Sequence, residues 1–293
     1  MTEPAERSDL SPIAPLRLSD PRLLFEERAA RLAALARGHP TGDHLGFLAR
    51  LARGQARAVR EVHPAARLVA GGPAPLVGAK AGRDGAWRRM LGVVLAEASG
   101  PELPAEARLA IRRLEDLGVS HLEALADEVL AGEVRADRPD ALASAPFVGA
   151  ALQAFLAALA AGLDPAAIPR TGTACPVCGG PPLASIVRGD DRVRYVVCAH
   201  CSAQRHLERV HCALCGGNAG VAYYAVEGET GARAEACDRC KAYVKVFDLE
   251  KRAGAEPLAD DAATLALDLL MADDGWGRGG VNLLFAAAAG PEA

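Results

Sequence analysis

Apolar residues recur at helical spacing through the first half of the chain, and breaks in this pattern fall at glycine and proline. The first predicted helix begins at Asp20, a capping residue followed by Pro21, and ends at Gly38. Further helices are predicted over residues 42–63, 84–98, 104–117, 120–131 and 140–163. A long loop rich in glycine and proline is expected over 63–82. These segments together predict an all-α domain.

The pattern changes near residue 169, where a linker is followed by short runs of alternating apolar and polar residues. Such alternation predicts strands, which pair here into two short hairpins. The runs are 183–188, 192–197, 221–226 and 232–236. A last helix is predicted over 260–272, with Asp260 and Asp261 as its N-terminal caps. The predicted divisions are an N-terminal segment at 1–19, a helical domain at 20–168, a cysteine-rich region at 169–255, and a helix with a tail at 256–293.

The tail is apolar at residues 281–285, after a glycine-rich run that carries Trp276 and Arg278. Exposed apolar residues beside such a run can form a contact surface for a partner. The preferred interpretation is that the tail packs back on the cysteine-rich region. The groove between this region and the helical domain is a second candidate contact surface.

Composition places the chain among soluble globular proteins, since 51% of its 293 residues are hydrophobic and 24% are charged. The net charge of −4 and the pI near 6.0 provide no overall attraction to phosphate backbones or anionic lipid. No secretory signal pattern and no membrane-spanning run is recognised. We therefore expect a cytoplasmic protein without membrane insertion, whose thiols stay reduced.

All eight cysteines fall in four C-x-x-C pairs. This spacing turns both sulfurs of a pair toward one point, so two pairs complete a tetrahedral shell of four thiolates. The first and third pairs are each followed by two glycines, which predicts two repeated units. Site 1 then contains Cys175, Cys178, Cys198 and Cys201, and site 2 contains Cys212, Cys215, Cys237 and Cys240. The cysteine-rich region is thus expected to form two tandem rubredoxin-like or zinc-ribbon modules of four cysteines each, which makes the fold α+β.

Two metal ions, iron or zinc, are the expected cofactors, because four thiolates suit both metals. A filled tetrahedron has no open position for water, so metal-assisted hydrolysis is not expected and no catalytic residue is assigned. Small hairpins bury little apolar surface, and each metal should therefore supply on the order of 10 kcal/mol of folding free energy. Rubredoxin-like electron transfer and thiol redox chemistry stay open as alternatives.

The seven histidines are interpreted as structural rather than ligating groups, since four cysteines already complete each site. Those of the helical domain are expected at the surface or at helix ends, and those of the cysteine-rich region beside the sites or exposed. The first group contains His39, His44, His63 and His121, and the second contains His200, His206 and His211.

A nucleic-acid-binding ribbon is a further alternative, because a local run of arginines lies near Tyr195, which could stack on a base. The run contains Arg188, Arg192, Arg194, Arg205 and Arg209. Acidic residues are interleaved with these arginines, and the whole chain is negatively charged. Nucleic-acid binding is therefore disfavoured.

The order of helical domain, C-x-x-C pairs and hairpins resembles the formate dehydrogenase accessory protein E family (FdhE). The stretches that carry the resemblance are CPVCGGPPLASIV, YVVCAHCSAQRHLERVHCALCG, AEACDRCKAYVKVF and LADDAATLALDLLMADDGWGRGGVNLLF. One departure is Arg205, where the family's pattern has an aromatic residue. The resemblance implies a maturation factor, not an enzyme, that binds the catalytic subunit of respiratory formate dehydrogenase, a client exported by the twin-arginine route. It also implies rubredoxin-like iron or zinc at the cysteine sites.

Overall fold

The computed structural model describes residues 13–65, 74–76, 83–169, 172–189 and 191–285. Most of the predicted loop over 63–82 lies outside these residues. The helices are α1 (Pro21–Leu35), α2 (Gly42–Glu61), α3 (Ala86–Ala98), α4 (Ala105–Asp116), α5 (Val119–Ala131), α6 (Pro139–Ala161), α7 (Pro257–Ala263) and α8 (Leu265–Asp273). The strands are β1 (Leu16–Arg17), β2 (Pro182–Arg188), β3 (Val193–Cys198), β4 (Gln204–His206), β5 (Val221–Tyr224), β6 (Ala232–Cys237), β7 (Ala242–Asp248) and β8 (Gly277–Arg278).

Helices α1 to α6 match the segments predicted from apolar spacing. Asp20 caps α1 as predicted, because its Oδ1 accepts a hydrogen bond from the backbone N–H of Arg22 at 2.9 Å. Helix α6 is long and apolar enough to cross a membrane, but 83% of its most apolar window is buried inside the protein. It packs against α2, α3, α4 and α5, which is typical of the core helix of a globular domain.

The two predicted hairpins belong to one sheet. The order of its strands is β1-β4-β3-β2-β7-β6-β5, with β8 paired to β7. β2 and β3 form the first predicted hairpin, and β5 and β6 form the second. β7, which was not predicted, pairs antiparallel with β6 and parallel with β2, with Ser185 opposite Val246. The chain between β2 and β7 makes the crossover that a parallel pair needs. The two cysteine modules therefore share one backbone hydrogen-bond network.

Residues 16–17 of the predicted N-terminal segment also belong to this sheet. β1 pairs antiparallel with β4, placing Leu16 opposite Arg205, and the Leu16 side chain is buried. The carbonyl of Ala14 accepts a hydrogen bond from the Tyr195 hydroxyl at 3.0 Å. The carbonyl of Pro15 accepts one from the backbone N–H of His206 at 3.1 Å. Residues before the first helix thus complete the sheet edge, although a strand of two residues directly after Pro15 is too short to be recognised from its sequence.

Two short helices follow the sheet, where one was predicted over 260–272. Glu256 caps α7, since its Oε2 accepts a hydrogen bond from the backbone N–H of Ala259 at 2.8 Å. Asp260 and Asp261 lie inside α7, so neither is the N-cap residue, although Oδ2 of Asp260 accepts a hydrogen bond from the backbone N–H of Glu256 at 2.8 Å. Proline at the first position of α7 starts the helix earlier than the acidic pair suggested.

Asp260 and Asp261 are instead buried carboxylates in ion pairs. Asp260 contacts Arg31 at 2.7 Å, and Asp261 contacts Arg278 at 2.6 Å and Lys245 at 3.3 Å. Burial alone would raise the pKa of Asp261, but Lys245 and Arg278 outweigh burial and hold this pKa below its usual value. The two carboxylates therefore anchor α7 to α1, to the sheet and to the tail.

The tail packs back into the protein, as preferred from the sequence. The backbone N–H of Val281 donates to the carbonyl of Pro182 at 3.0 Å, and Leu283 and Leu284 are buried. The tail also contacts α6, which the sequence did not indicate. At Gly149 of α6, a methyl group would lie 2.3 Å from the Leu283 carbonyl oxygen.

We expect Gly149→Ala to destabilise the protein by roughly 1–3 kcal/mol, because the added methyl group meets backbone that cannot rotate away. Gly92→Ala in α3 is the matched control, since nothing lies within 4 Å of the new methyl group. There, alanine should stabilise the helix by about 0.5–1 kcal/mol. Chemical denaturation of both variants measures the difference. Equal stabilisation by both substitutions would contradict the tail's close packing on α6.

Candidate metal centres

The four cysteines predicted for site 1 form one compact cluster. Their Sγ atoms lie within 4.8 Å of one another. The Sγ atoms of Cys175 and Cys201 are 3.6 Å apart, and those of Cys178 and Cys198 are 3.5 Å apart. A zinc–sulfur bond of about 2.3 Å in a tetrahedron gives sulfur–sulfur distances of about 3.8 Å. The thiols thus need to move only slightly to surround a metal ion.

Site 2 has the same arrangement, again within 4.8 Å. The Sγ atoms of Cys212 and Cys240 are 3.8 Å apart, and those of Cys215 and Cys237 are 3.7 Å apart. The structure therefore brings the first pair together with the second and the third with the fourth, as the glycine pattern predicted. Both clusters have the donor set and size that suit zinc or iron.

The backbone around each C-x-x-C pair explains why the sulfurs converge. Gly179 and Gly216 follow the first and third pairs with positive φ angles of 72° and 70°. Ser202 and Lys241 follow the second and fourth pairs with φ angles of 58° and 54°, although neither is glycine. Positive φ is uncommon outside glycine. All four turns thus use one local geometry, including the two that lack the glycine signal.

The four thiols of site 1 are hydrogen-bonded to one another, as expected for cysteines placed to surround a metal ion. Hydrogen bonds from the other three thiols lower the pKa of Cys175. Hydrogen bonds with Cys175 and other neighbouring thiols raise the pKa values of Cys178 and Cys201. Four thiolates this close cannot all ionise next to one another unless a cation compensates their charge. In site 2, burial raises the pKa of Cys212 to about 12. A bound divalent metal would remove these protons.

The two sites differ in their surroundings. Site 1 belongs to the largest hydrophobic cluster of the protein, which runs from α1, α2, α3 and α6 into β2 and β3. All four of its cysteines are buried. In site 2, Cys215 and Cys240 are partly exposed, and only Cys212 and Cys237 are buried. Site 1 is thus part of the core, whereas site 2 reaches the surface.

The histidines near the cysteines lie outside both clusters. His200 is buried, and burial lowers its pKa to about 4. Neither ring nitrogen of His200 has a hydrogen-bond partner among the described residues. The His206 ring packs edge-on against Tyr195, with centroids 5.9 Å apart. His211 lies 3.3 Å from Glu208 near the surface. His200 thus neighbours site 1, whereas His206 and His211 are half-buried.

The histidines of the helical domain are also remote from the clusters. His39 contacts the hydroxyl of Thr41 and the carbonyl of Ala263, both at 3.0 Å, and links the end of α1 to α7. His44 stacks on Phe285, and burial lowers its pKa. His63 and His121 are exposed. These positions fit the surface and helix-end interpretation.

The arginine run does not form an open basic patch. Arg194 is buried and pairs with Glu235 at 2.6 Å. Arg192 contacts Asp248 at 2.7 Å, and Arg209 donates to backbone carbonyls. Tyr195 is buried and therefore cannot stack on a base. The geometry removes the main support for nucleic-acid binding.

A buried polar network lies beside site 1 and was not predicted from the sequence. Its members are Arg28, Gln55, Gln153, Ser202 and Glu256, all of which are buried. They lie far apart along the chain, on α1, α2, α6, the turn after Cys201 and the start of α7. Each residue alone is an ordinary polar position in the sequence, so no local signal could have identified the set.

Family models match almost the whole described chain. They are the FdhE N-terminal domain at residues 13–173, the FdhE central domain at 174–209 and the FdhE C-terminal domain at 210–285. The boundaries between these domains fall just before Cys175 and between the two cysteine sites.

Similar proteins match this chain over nearly the full length of both sequences. Protein FdhE homolog of Edwardsiella ictaluri is 36% identical over 93% of this chain and 92% of its own length. Protein FdhE of Escherichia coli O139:H28 is 33% identical over 95% of this chain and 93% of its own length. The crystal structure of the FdhE protein from Pseudomonas aeruginosa superposes with a TM-score of 0.81 at 35% identity, covering 92% of this chain and 98% of that chain. The chain belongs to the FdhE family.

Proposed function

We propose that this chain is a cytoplasmic accessory protein that binds the catalytic subunit of formate dehydrogenase and supports its assembly and activity. The client would be the subunit that is exported by the twin-arginine route. In this proposal the eight cysteines hold two metal ions, iron or zinc, one in each site. The chain itself catalyses no reaction.

The observation that carries the proposal is family membership across all three FdhE domains, from residue 13 to 285. The geometry of the cysteines supports a non-catalytic role. Four sulfurs complete each tetrahedron, so a bound metal would have no open position for substrate or water. Within the described residues, both clusters of potential metal ligands consist of cysteine alone.

One observation favours electron transfer as a second candidate function. Cys215 and Cys240 of site 2 are partly exposed, so an iron there would lie close to the surface. Reduction potential at such thiolate sites depends on solvent exposure and on hydrogen bonds to sulfur. The backbone N–H of Leu214 donates to the Cys212 sulfur at 3.4 Å. Iron-loaded protein with a visible band that bleaches on reduction would support this candidate.

The accessory function is tested in a host strain from which this protein has been deleted. We expect formate dehydrogenase activity to fall several-fold and to return on expression of the wild-type chain. Pull-down with the tagged wild-type chain should recover the catalytic subunit. Cys212→Ser should restore activity poorly, because site 2 would lose one of four metal ligands.

Asp238→Asn serves as the matched control, since Asp238 lies between the cysteines of the same site but its side chain is exposed. It should restore activity fully. Wild-type formate dehydrogenase activity in the deletion strain would refute the accessory function.

A further inference from the structure

We infer that Arg28 is a positioning residue for site 1, because a buried polar network ties the Cys198–Cys201 turn to the helical domain. Metal retention at site 1 is therefore coupled to the docking of α1 and α6, whereas site 2 exchanges its metal independently. The inference rests on the metal binding in the proposed function and adds that the two sites are unequal.

The first contact in the network is made to the turn itself. Ala199 lies between the two cysteines of the second pair and is fully buried. Its carbonyl accepts a hydrogen bond from Nε2 of Gln153 on α6 at 2.7 Å. Gln153 is 1% exposed. The peptide that sets the separation of Cys198 and Cys201 is therefore held from the helical domain.

Arg28 of α1 contacts both Gln153 and the turn. Its Nη1 donates to Oε1 of Gln153 at 3.2 Å, which orients the amide so that Nε2 faces Ala199. Its Nη2 lies 3.4 Å from the hydroxyl of Ser202, the residue with positive φ that closes the turn. Arg28 is 1% exposed, so water cannot replace these contacts. One guanidinium thus contacts one end of the turn directly at Ser202 and the other end through Gln153.

Glu256 balances the charge of Arg28. Its Oε1 accepts hydrogen bonds from Nε and Nη2 of Arg28 at 3.0 and 2.9 Å. Its Oε2 caps α7 through the backbone N–H of Ala259 at 2.8 Å. Gln55 of α2 adds a hydrogen bond to Oε1 of Gln153 at 3.1 Å. Opening the turn would therefore disturb contacts among α1, α2, α6 and α7.

Site 2 provides an internal comparison, because its fourth C-x-x-C pair has the same backbone geometry. Asp238 and Lys241 occupy the positions that Ala199 and Ser202 occupy in site 1. Their side chains are 62% and 70% exposed and contact each other at 3.0 Å. The equivalent turn in site 2 therefore faces solvent. The two turns thus have the same backbone geometry, but only the Cys198–Cys201 turn is hydrogen-bonded to the helical domain.

Metal release from the fully loaded wild-type chain tests the inference. We expect two equivalents of zinc to transfer to an excess of a chromophoric chelator in two phases of equal amplitude. The slow phase should be at least tenfold slower, which corresponds to about 1.4 kcal/mol. A Cys215→Ser and Cys240→Ser double variant should lose the fast phase and keep the slow one.

The positioning role is tested by Arg28→Met combined with Glu256→Gln, which removes both charges and keeps an acceptor for the α7 cap. We expect the slow phase to accelerate at least tenfold and the fast phase to change less than twofold. Arg28→Lys, with Glu256 intact, should accelerate the slow phase less than the double variant does. Asp238→Asn, which alters the exposed pair of site 2, should leave the slow phase unchanged. A general loss of stability would not produce this selectivity.

Hydrogen exchange of the wild-type chain provides a measurement that needs no variant. Removal of the metal that is released in the slow phase should increase amide hydrogen exchange in α1 and α6. Removal of the metal that is released in the fast phase should change amide hydrogen exchange mainly in β5 to β7. Unchanged exchange in α1 and α6 after loss of both metals would overturn the inference. An unchanged slow phase in the folded Arg28→Met and Glu256→Gln double variant would do the same.

Different results would contradict the proposed metal binding and the inequality of the two sites. Two bound metals that leave in a single phase would overturn the inequality of the sites and leave the proposed metal binding intact. Protein that binds no zinc or iron would overturn the proposed metal binding together with this inference.

Discussion

Cys201→Ser should abolish cooperative folding of the whole chain, whereas Cys240→Ser should leave the helical domain folded. Cys201 is buried in the cluster of apolar residues shared by the helices and the first hairpin. A structural metal contributes on the order of 10 kcal/mol to folding. This value is comparable to the total stability of a typical domain, about 5–15 kcal/mol. Loss of a site 1 ligand should therefore remove most of the stability of the core.

Circular dichroism during thermal denaturation, together with metal content, measures this difference. Cys201→Ser should precipitate or lack a sharp transition. Cys240→Ser, the equivalent position in site 2, should lose about one metal equivalent and retain the transition of α1 to α6. Cys240 is partly exposed, and its site lies outside the largest apolar cluster. An equal loss of the thermal unfolding transition in both variants would contradict the structural difference between the sites.

Arg194→Met should destabilise the protein by about 3–5 kcal/mol. Arg194 and Glu235 are each 2% exposed and contact at 2.6 Å, so the substitution leaves a carboxylate buried without its cation. Arg194 also donates to the Ser185 hydroxyl at 3.0 Å. These residues lie on β3, β6 and β2, and their contacts join the two hairpins across the sheet. The large effect follows from burial, because water cannot screen the unpaired charge.

The control is Lys241→Met at the exposed ion pair with Asp238, where a loss below about 1 kcal/mol is expected. Combining Arg194→Met with Glu235→Met should recover most of the lost stability, since neither charge is then buried alone. Urea denaturation of all four proteins, including the wild type, measures the free energies of unfolding. A cost below about 1 kcal/mol for Arg194→Met alone would show that the buried pair is not important for stability.

The two cysteine modules form one folded unit, because their strands lie in a single sheet. The two hairpins were predicted as small separate units, but β7 joins them by pairing with β6 and with β2. The buried contact of Arg194 with Glu235 also connects them. Site 1 and site 2 therefore sit in one folded body, yet only site 1 is enclosed by the helices. A sheet shared by a core site and a surface site would allow one bound metal to support the fold while a second stayed close to the surface.

Features that depend on neighbouring residues were predictable from the sequence. The cap at Asp20, the six helices of the first half and the turns around the cysteines all depend on short stretches of chain. The pairing of the cysteines was also predictable, because the glycines after Cys178 and Cys215 mark the start of each repeated unit. In these cases the backbone preferences of a few residues and the apolar spacing of one helix are sufficient to predict the local structure.

Features that depend on distant residues needed the tertiary structure. Asp260 and Asp261 looked like helix caps, but Arg31, Lys245 and Arg278 make them buried ion-pair partners. The strand at Leu16–Arg17 exists because β4 presents a free edge to it.

The contact of Arg28 with Glu256 joins residues 228 positions apart. The cysteine clusters and the six helices of the first half were predictable from the sequence, because they depend on local spacing. The burial of site 1 in the core and the exposure of site 2 at the surface were not predictable, because burial depends on which distant segments pack around each site.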